Sequence, residues 1–163
     1  IRHFLQLDDI SDIIIFDTGA GLNDKILRLI ASGSETILVA TPEPTSILDA
    51  YAVIKSINRF DHKPAIGLVI NKAETIKEAL DTMDSFARIV EKYTGMSVQK
   101  LGYVLNDYHV GNAIKAQVPV VVSSPDCVSA QNIAALAGRL LEEPPQQGEG
   151  LKEFFNKLLA GKH

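Results

Sequence analysis

Cysteine is nearly absent from this chain of 163 residues, in which Cys127 is the single example. One thiol excludes an intramolecular disulfide framework and is typical of a reducing compartment, so we expect a cytoplasmic protein. No apolar run approaches the roughly 20 residues that a membrane-spanning helix needs. The net charge of −4 argues against a dedicated nucleic-acid binder, which would normally be basic. We therefore expect no nucleic-acid partner.

Two kinds of site are also missing from the sequence pattern. No Gly-x-x-x-x-Gly-Lys-Ser/Thr phosphate loop occurs anywhere in the chain. The histidines show no metal-ligand spacing, so the sequence predicts neither a zinc site nor a cysteine–histidine arrangement, and Cys127 is interpreted as structural. The four histidines are His3, His62, His109 and His163.

Strand-like and helix-like apolar patterns alternate along the chain. This alternation predicts an α/β fold, a mostly parallel Rossmann-like sheet flanked by helices. Residues 1–141 form the predicted domain, 142–150 a linker rich in proline and glycine, and 151–160 an amphipathic helix. Strands are predicted at 13–16, 35–41, 64–71, 98–105 and 118–122, and helices at 22–32, 45–59, 75–93, 110–116 and 129–141.

A carboxylate and two glycines follow the first predicted strand. Asp17 ends the apolar run 13–16, which we interpret as a strand buried on both faces, and Gly19 and Gly21 come directly after it. The glycines would let backbone N–H groups approach a phosphate, and the carboxylate suits a water held on Mg²⁺. The alternative is that Asp17 merely caps a turn.

The loop Asp-Thr-Gly-Ala-Gly at 17–21 resembles the Walker B and switch II element of the MinD/ParA-type ATPases with deviant Walker motifs. The stretch 41–51, Thr-Pro-Glu-Pro-Thr-Ser followed by Asp49, Ala50 and Tyr51, strengthens the resemblance. It is strongest for the flagellar-number regulator branch, the FlhG (YlxH) group, and covers nearly the whole chain from Asp12. It implies the C-terminal part of an ATPase whose phosphate loop lies outside this sequence, so this chain alone is expected to be inactive.

The resemblance also assigns roles to single residues. Asp17, Gly19 and Gly21 would belong to the catalytic loop, with Asp17 acting on Mg²⁺. Asn71 and the loop Leu105-Asn106-Asp107 would approach the adenine of ATP, although many relatives have a proline in place of Leu105. Glu43 would contact the other subunit of a nucleotide-bound homodimer and couple that contact to the nucleotide. For Glu43 and Asn71 the alternative is an ordinary polar turn after a strand.

A stripe of apolar side chains marks the end of the chain. Its members recur at helical spacing, with lysines beside them, which is typical of a helix lying at a membrane surface. The resemblance implies the same, with dimerisation doubling a weak attachment. The alternative is a terminal helix packed on its own domain. The stripe consists of Leu151, Phe154, Phe155, Leu158 and Leu159.

The implied function is a nucleotide-dependent, dimerising positioning switch, cytoplasmic and peripherally membrane-associated. Flagellar assembly proteins are candidate partners. Three alternatives remain open: an ATP-dependent amide ligase related to cobyrinic acid a,c-diamide synthase, a chromosome-partitioning relative, and an interaction module that needs no nucleotide. Because the resemblance places the phosphate-loop strand between the strands at 13–16 and 35–41, we also expect self-association or a rearranged sheet.

Overall fold

A computed structural model describes residues 10–19, 22–142 and 150–160. Three strands and seven helices are formed in these ranges. The strands are β1 (Glu35–Ala40), β2 (Ala65–Ala73) and β3 (Gln99–Leu105). The helices are α1 (Asp24–Ser32), α2 (Pro44–Ile57), α3 (Ile76–Thr94), α4 (Tyr108–Ala116), α5 (Val120–Ser123), α6 (Val128–Glu142) and α7 (Leu151–Ala160).

The three strands form one parallel sheet in the order β1-β2-β3. Val39 of β1 pairs with Val69 of β2, and Asn71 of β2 pairs with Val104 of β3. A helix connects each strand to the next, as parallel pairing requires. The predicted α/β class, a Rossmann-like parallel sheet flanked by helices, is confirmed.

The hydrophobic core lies mainly between this sheet and helices α2 and α3. Every second residue of β2 points into it, and Phe86 and Met83 of α3 are almost completely buried there. On the opposite face of the sheet, α6 covers β2 and β3. A smaller cluster fills that side: Val69, Leu101 and Val104, with Leu136 and Leu140 from α6.

Helix α3 shows why the predicted boundaries hold to within a residue or two. Thr75 caps its start, because the threonine hydroxyl accepts the Glu78 N–H at 3.1 Å. The carboxylate of Glu78 reaches back to the N–H of Glu74 at 2.7 Å. Gly95 ends the helix at φ 70°, a left-handed conformation that glycine adopts without strain.

The predicted strand at 13–16 is wrong. Residues 13–19 have no regular secondary structure, and the side chains of Ile13 and Ile15 are 56% and 82% exposed. A strand needs a hydrogen-bonding neighbour, and none of the three described strands pairs with this segment. For the same reason the outer edge of β1 is open in the described part of the chain. Ile37 and Val39 on one face of β1 are also exposed, so β1 is covered on one face only.

The predicted strand at 118–122 is also wrong, because the short helix α5 forms there instead. Pro119 sits at its N-cap, where the fixed φ of proline suits entry into a helix. Its carbonyl accepts the N–H groups of Val122 at 2.9 Å and Ser123 at 3.0 Å. These local bonds outweigh the β-propensity of three consecutive valines.

The predicted terminal helix forms as α7 and packs against α1. Leu151 and Phe154 from the apolar stripe are buried, whereas Leu159 is exposed. Phe154 also stacks on Phe16, with ring centroids 4.8 Å apart. No described helix has the length and apolar character that crossing a membrane requires. Residues 143–149 of the predicted linker lie outside the described residues, so the division at 141 stays a prediction.

Candidate functional site

Polar side chains follow β2 and β3 where both strands end, at one edge of the sheet. Asn71 lies opposite Val104, and two residues later the N–H of Asn106 donates to the Ala73 carbonyl at 2.8 Å. The fold therefore brings two of the predicted base-contacting residues, Asn71 and Asn106, to the same edge. In parallel α/β sheets this carboxyl edge is where ligands bind.

The orientation of Asn71 is fixed by its own backbone turn. Its Oδ1 accepts the N–H of Lys72 at 2.9 Å, and Lys72 has φ 57°, in the left-handed region that is strained for lysine. Strained residues of this kind cluster at ligand sites. Because Oδ1 is used within the turn, Nδ2 of Asn71 is the atom that can donate to a ligand.

Asn106 and Leu105 are held by partners that the sequence did not identify. The Nδ2 of Asn106 donates to Oε1 of Glu74 at 2.8 Å, and the N–H of Leu105 donates to Oδ1 of Asn132 at 3.0 Å. Asn132 lies on α6, far along the chain. No local pattern marks it, because a carboxamide inside a helix looks like any other polar position.

Asp107 uses its carboxylate within the fold. Oδ1 accepts the N–H of His109 at 2.9 Å, which caps α4, and Oδ2 accepts the N–H of Ser129 at 3.1 Å. These hydrogen bonds, led by the one from the His109 backbone, hold the pKa of Asp107 well below its usual range. The carboxylate therefore faces its own chain, and any base contact at this position falls to the Asp107 backbone.

The end of β1 carries Glu43 and an unusual threonine. Glu43 is exposed at the start of α2 and makes no side-chain capping bond. The N–H of Thr41 donates to Oγ of Ser46 at 2.9 Å. The hydroxyl of Thr41 is buried with no partner among the described residues. Buried polar atoms are usually paired, so the Thr41 hydroxyl is an exception among the described residues, and it lies at the carboxyl end of β1.

Asp17 and Gly19 lie in the irregular segment 13–19. Asp17 is exposed there, and a Cβ added at Gly19 would meet nothing within 4 Å. Their assignment to a site with Asn71 and Asn106 stays a prediction, and Gly21 lies outside the described residues. Asp17 also belongs to no converging group of metal-ligating side chains in the described ranges.

One convergence contradicts the expectation that the histidines and the cysteine stand apart. Ligand atoms of Asp107, His109 and Cys127 lie within 4.8 Å of one another. The contact joins the start of α4 to the residue before α6, which are brought together as α5 packs against both helices. Spacing along the sequence could not reveal it, since Cys127 is remote from His109 in the chain.

Two curated relatives match nearly the whole chain, and no family model matches it. The antiactivator FleN of Pseudomonas aeruginosa is 28% identical over 161 residues, 98% of this chain and 58% of FleN. The flagellum site-determining protein YlxH of Helicobacter pylori is 28% identical over 156 residues, 91% of this chain and 52% of YlxH. These similarities, at 28% identity over nearly the whole chain, support a place in the MinD/ParA-type ATPase superfamily.

A solved MinD/ParA-type structure has the same fold. The cell division ATPase MinD of Pyrococcus furiosus matches with a TM-score of 0.66 and 22% identity, covering 84% of this chain and 54% of that one. The chain spans about half the length of the curated relatives it matches.

Proposed function

We propose that this chain is the C-terminal part of a MinD/FlhG-like ATPase that acts as a nucleotide-dependent positioning switch. The intact protein binds ATP with Mg²⁺, forms a homodimer and associates with the membrane, and the flagellum is the machinery that it positions. The similarity to MinD/ParA-type ATPases supports the nucleotide. The observation that carries the proposal is the meeting of Asn71 and Asn106 at the carboxyl edge of the sheet.

Base recognition rests on the amide of Asn71. Its Nδ2 donates to a ring acceptor of the adenine, because Oδ1 is bound to Lys72. Asn106, oriented by Glu74, lies at the same edge, and Leu105 supplies an apolar side chain next to it, with its backbone held by Asn132. Asp107 fixes the loop through its cap of α4 rather than through its carboxylate contacting the base.

Asp17 is the proposed Mg²⁺ residue, acting through a bound water. An exposed carboxylate is the oxygen donor that Mg²⁺ prefers, so the donor chemistry fits the ion. Bound Mg²⁺ neutralises charge on the phosphates. Gly19 and Gly21 allow the following backbone to approach those phosphates. For this role Asp17 must lie beside the nucleotide phosphates at that edge of the sheet.

The proposed dimer contact lies at the end of β1. Glu43 and Asp49 are exposed on the α2 side of that strand, whereas Tyr51 packs against the core. The open edge of β1 and its exposed Ile37 and Val39 give further surface for a second chain. Binding of nucleotide between two subunits would bring Glu43 of one chain to the other.

The proposed membrane contact is the apolar stripe of α7. In the described structure Leu151 and Phe154 are buried against the chain, so the helix must leave α1 before all five residues reach lipid. Leu159 is already exposed. In this proposal the nucleotide state determines whether α7 is released from α1, and the released helix binds the membrane.

Calorimetry of Mg²⁺-dependent ATP binding tests the nucleotide role, using this chain and the same chain preceded by its natural upstream sequence. We expect binding in the longer protein alone. Asn71→Ala should weaken it by about tenfold, the loss of one hydrogen bond, while Asn112→Ala, on exposed α4, leaves it unchanged. Absence of binding in both proteins rejects the ATPase proposal.

Co-sedimentation with vesicles containing anionic lipid tests the membrane role separately. Leu159→Asp should abolish sedimentation without destabilising the fold, because Leu159 is exposed. Leu141→Asp, at a leucine of α6 that is 67% exposed against 46% for Leu159, is the control. Equal sedimentation of both variants would make α7 a packing helix and leave membrane association without support.

A nucleotide-independent interaction module is the second candidate, and the docking of α7 on α1 favours it. Retained vesicle or partner binding by a protein that binds no ATP would select it. A relative of cobyrinic acid a,c-diamide synthase would instead consume ATP only with an amide donor and a carboxylate substrate.

A further inference from the structure

The cluster of Asp107, His109 and Cys127 lies where the loop 105–107 enters α4, and the proposed switch uses only the Asp107 cap of that helix. Each residue offers one ligand atom: a carboxylate oxygen, the imidazole Nδ1 and the thiol sulfur. The Asp107 oxygen and His109 Nδ1 are 2.8 Å apart. Three different donor types converge here from two separate parts of the chain.

We propose that Asp107, His109 and Cys127 bind one divalent transition-metal ion of the zinc class, with water as the fourth ligand. Mixed nitrogen, sulfur and oxygen donors are those of zinc sites, whereas Mg²⁺ and Ca²⁺ take oxygen alone. Three protein ligands with one open position is an established tetrahedral arrangement for zinc. The inference does not depend on nucleotide binding.

Two of the three side chains are shielded from water and the third is partly exposed, which suits a metal site that an ion can enter. The side chain of Asp107 is 8% exposed and Cys127 is 9% exposed, so two ligands are shielded from water. The His109 side chain is 34% exposed, which leaves a path for the ion and a place for the water. Low water access strengthens the attraction between the ion and its negative ligands.

Neighbouring groups already hold the ligands in place. The backbone N–H groups of His109 and Ser129 each bind one oxygen of Asp107. Oγ of the fully buried Ser129 lies 3.2 Å from the sulfur of Cys127, and the ring of Tyr108 lies 3.9 Å from that of His109. Outer contacts of this type orient metal ligands and raise affinity.

Binding requires small movements and the loss of one proton. Ligand atoms around tetrahedral zinc are roughly 3.3–3.6 Å apart, so Asp107 and His109 must separate by less than 1 Å. The thiol of Cys127 loses its proton to solvent and bonds the metal as thiolate. His109 bonds through Nδ1 as the neutral tautomer, so its hydrogen bond to the ionised Asp107 carboxylate breaks and the Nδ1 proton is exchanged through solvent for one on Nε2. No electron transfer is involved.

Capping alone does not account for the cluster. The start of α4 needs only the carboxylate of Asp107, which would cap equally well beside an alanine. The additional convergence of an imidazole and a buried thiol on that carboxylate is what a metal site adds. A capping role predicts no metal affinity at all, so the two interpretations give different results.

Titration of the reduced, metal-free chain with Co²⁺ tests the proposal. We expect one ion per chain, a thiolate-to-cobalt charge-transfer band and the strong visible absorption of four-coordinate cobalt. Equimolar Zn²⁺ should displace the cobalt and raise the thermal midpoint of unfolding. Absence of the charge-transfer band at equimolar cobalt overturns the proposal.

Variants locate the site. Cys127→Ser should lose the charge-transfer band, and His109→Gln should weaken cobalt binding by more than about tenfold. His62→Gln removes an exposed histidine elsewhere and should bind cobalt like the unchanged chain. Circular dichroism of each variant establishes that it is folded. A charge-transfer band that persists in folded Cys127→Ser would overturn the assignment, as would equal effects of His62→Gln and His109→Gln.

Discussion

The two sides of the sheet differ in how their apolar residues are covered. Strand β2 is covered by α2 and α3 on one face and by α6 on the other. Strand β1 is covered on one face only, and the apolar run at 13–16 forms no strand in the described structure. The difference teaches that an apolar run becomes a strand only when a neighbouring strand and a covering layer are both present.

The largest expected effect is a loss of stability when a residue that covers β2 is truncated. Phe86→Ala removes a ring that is 1% exposed between α3 and the sheet, and it should lower the free energy of unfolding by about 3–5 kcal/mol. Leu80→Ala, at a half-exposed position of the same helix, is the control. Urea denaturation measures both. Similar losses would mean that burial on α3 does not set stability.

A matched pair of valines tests the comparison directly. Val69 and Val39 are paired in register, but Val69 is 6% exposed and Val39 is 56% exposed. Val69→Ala should cost roughly 2 kcal/mol and Val39→Ala less than about 0.5 kcal/mol. Both variants lose the same β-propensity, so their difference isolates burial. Equal losses would show that the exposed face of β1 is covered in solution, as self-association requires.

Asn132 joins the covered side to the candidate site. Asn132→Ala leaves the N–H of Leu105 without its 3.0 Å partner and should cost about 1–2 kcal/mol in thermal or urea unfolding. Gln131→Ala removes an exposed side chain from the preceding position of α6. It should change stability by less than about 0.5 kcal/mol. In the longer protein, Asn132→Ala should also weaken ATP binding, because the loop 105–107 loses its support.

The smallest expected effect concerns the irregular segment. Phe16 and Phe154 stack with planes 7° apart, so a double-mutant cycle of Phe16→Ala and Phe154→Ala should give a coupling of about 0.5–1.5 kcal/mol. Urea unfolding of the four proteins measures it. A coupling of zero would mean that α7 is not held by Phe16 in solution, which frees the helix for lipid.

Sequence patterns predicted the covered half of the fold well. Each of the strands β1 to β3, and the helices between them, follows from its own periodicity and from local signals such as Thr75 and Gly95. The errors at 13–16 and 118–122 have a common cause. Periodicity describes one segment, whereas a strand depends on a partner that another part of the chain must supply.

The candidate site was predictable only where its residues end strands. The family resemblance assigned Asn71 and Asn106 to the site, and the parallel pairing of β2 with β3 brings them to one edge. Glu74 and Asn132, which orient the loop, left no local signal. The same holds for His109 and Cys127, since their meeting depends on how α4, α5 and α6 pack together.

The parallel order β1-β2-β3 also determines how the chain must fold. Glu35 pairs with Ala65, and Gly67 with Gln99, so no two strands can join through a tight turn. Each strand pairing requires a long crossover to close, which costs conformational entropy before the hydrogen bonds between the strands can form. Folding is therefore expected to be slow compared with a helical bundle of this size. Early formation of α3 shortens the crossover between β2 and β3. The covered pair is therefore expected to assemble first, with β1 added last, so the most exposed strand of the native protein is also the one that newly made chains complete latest.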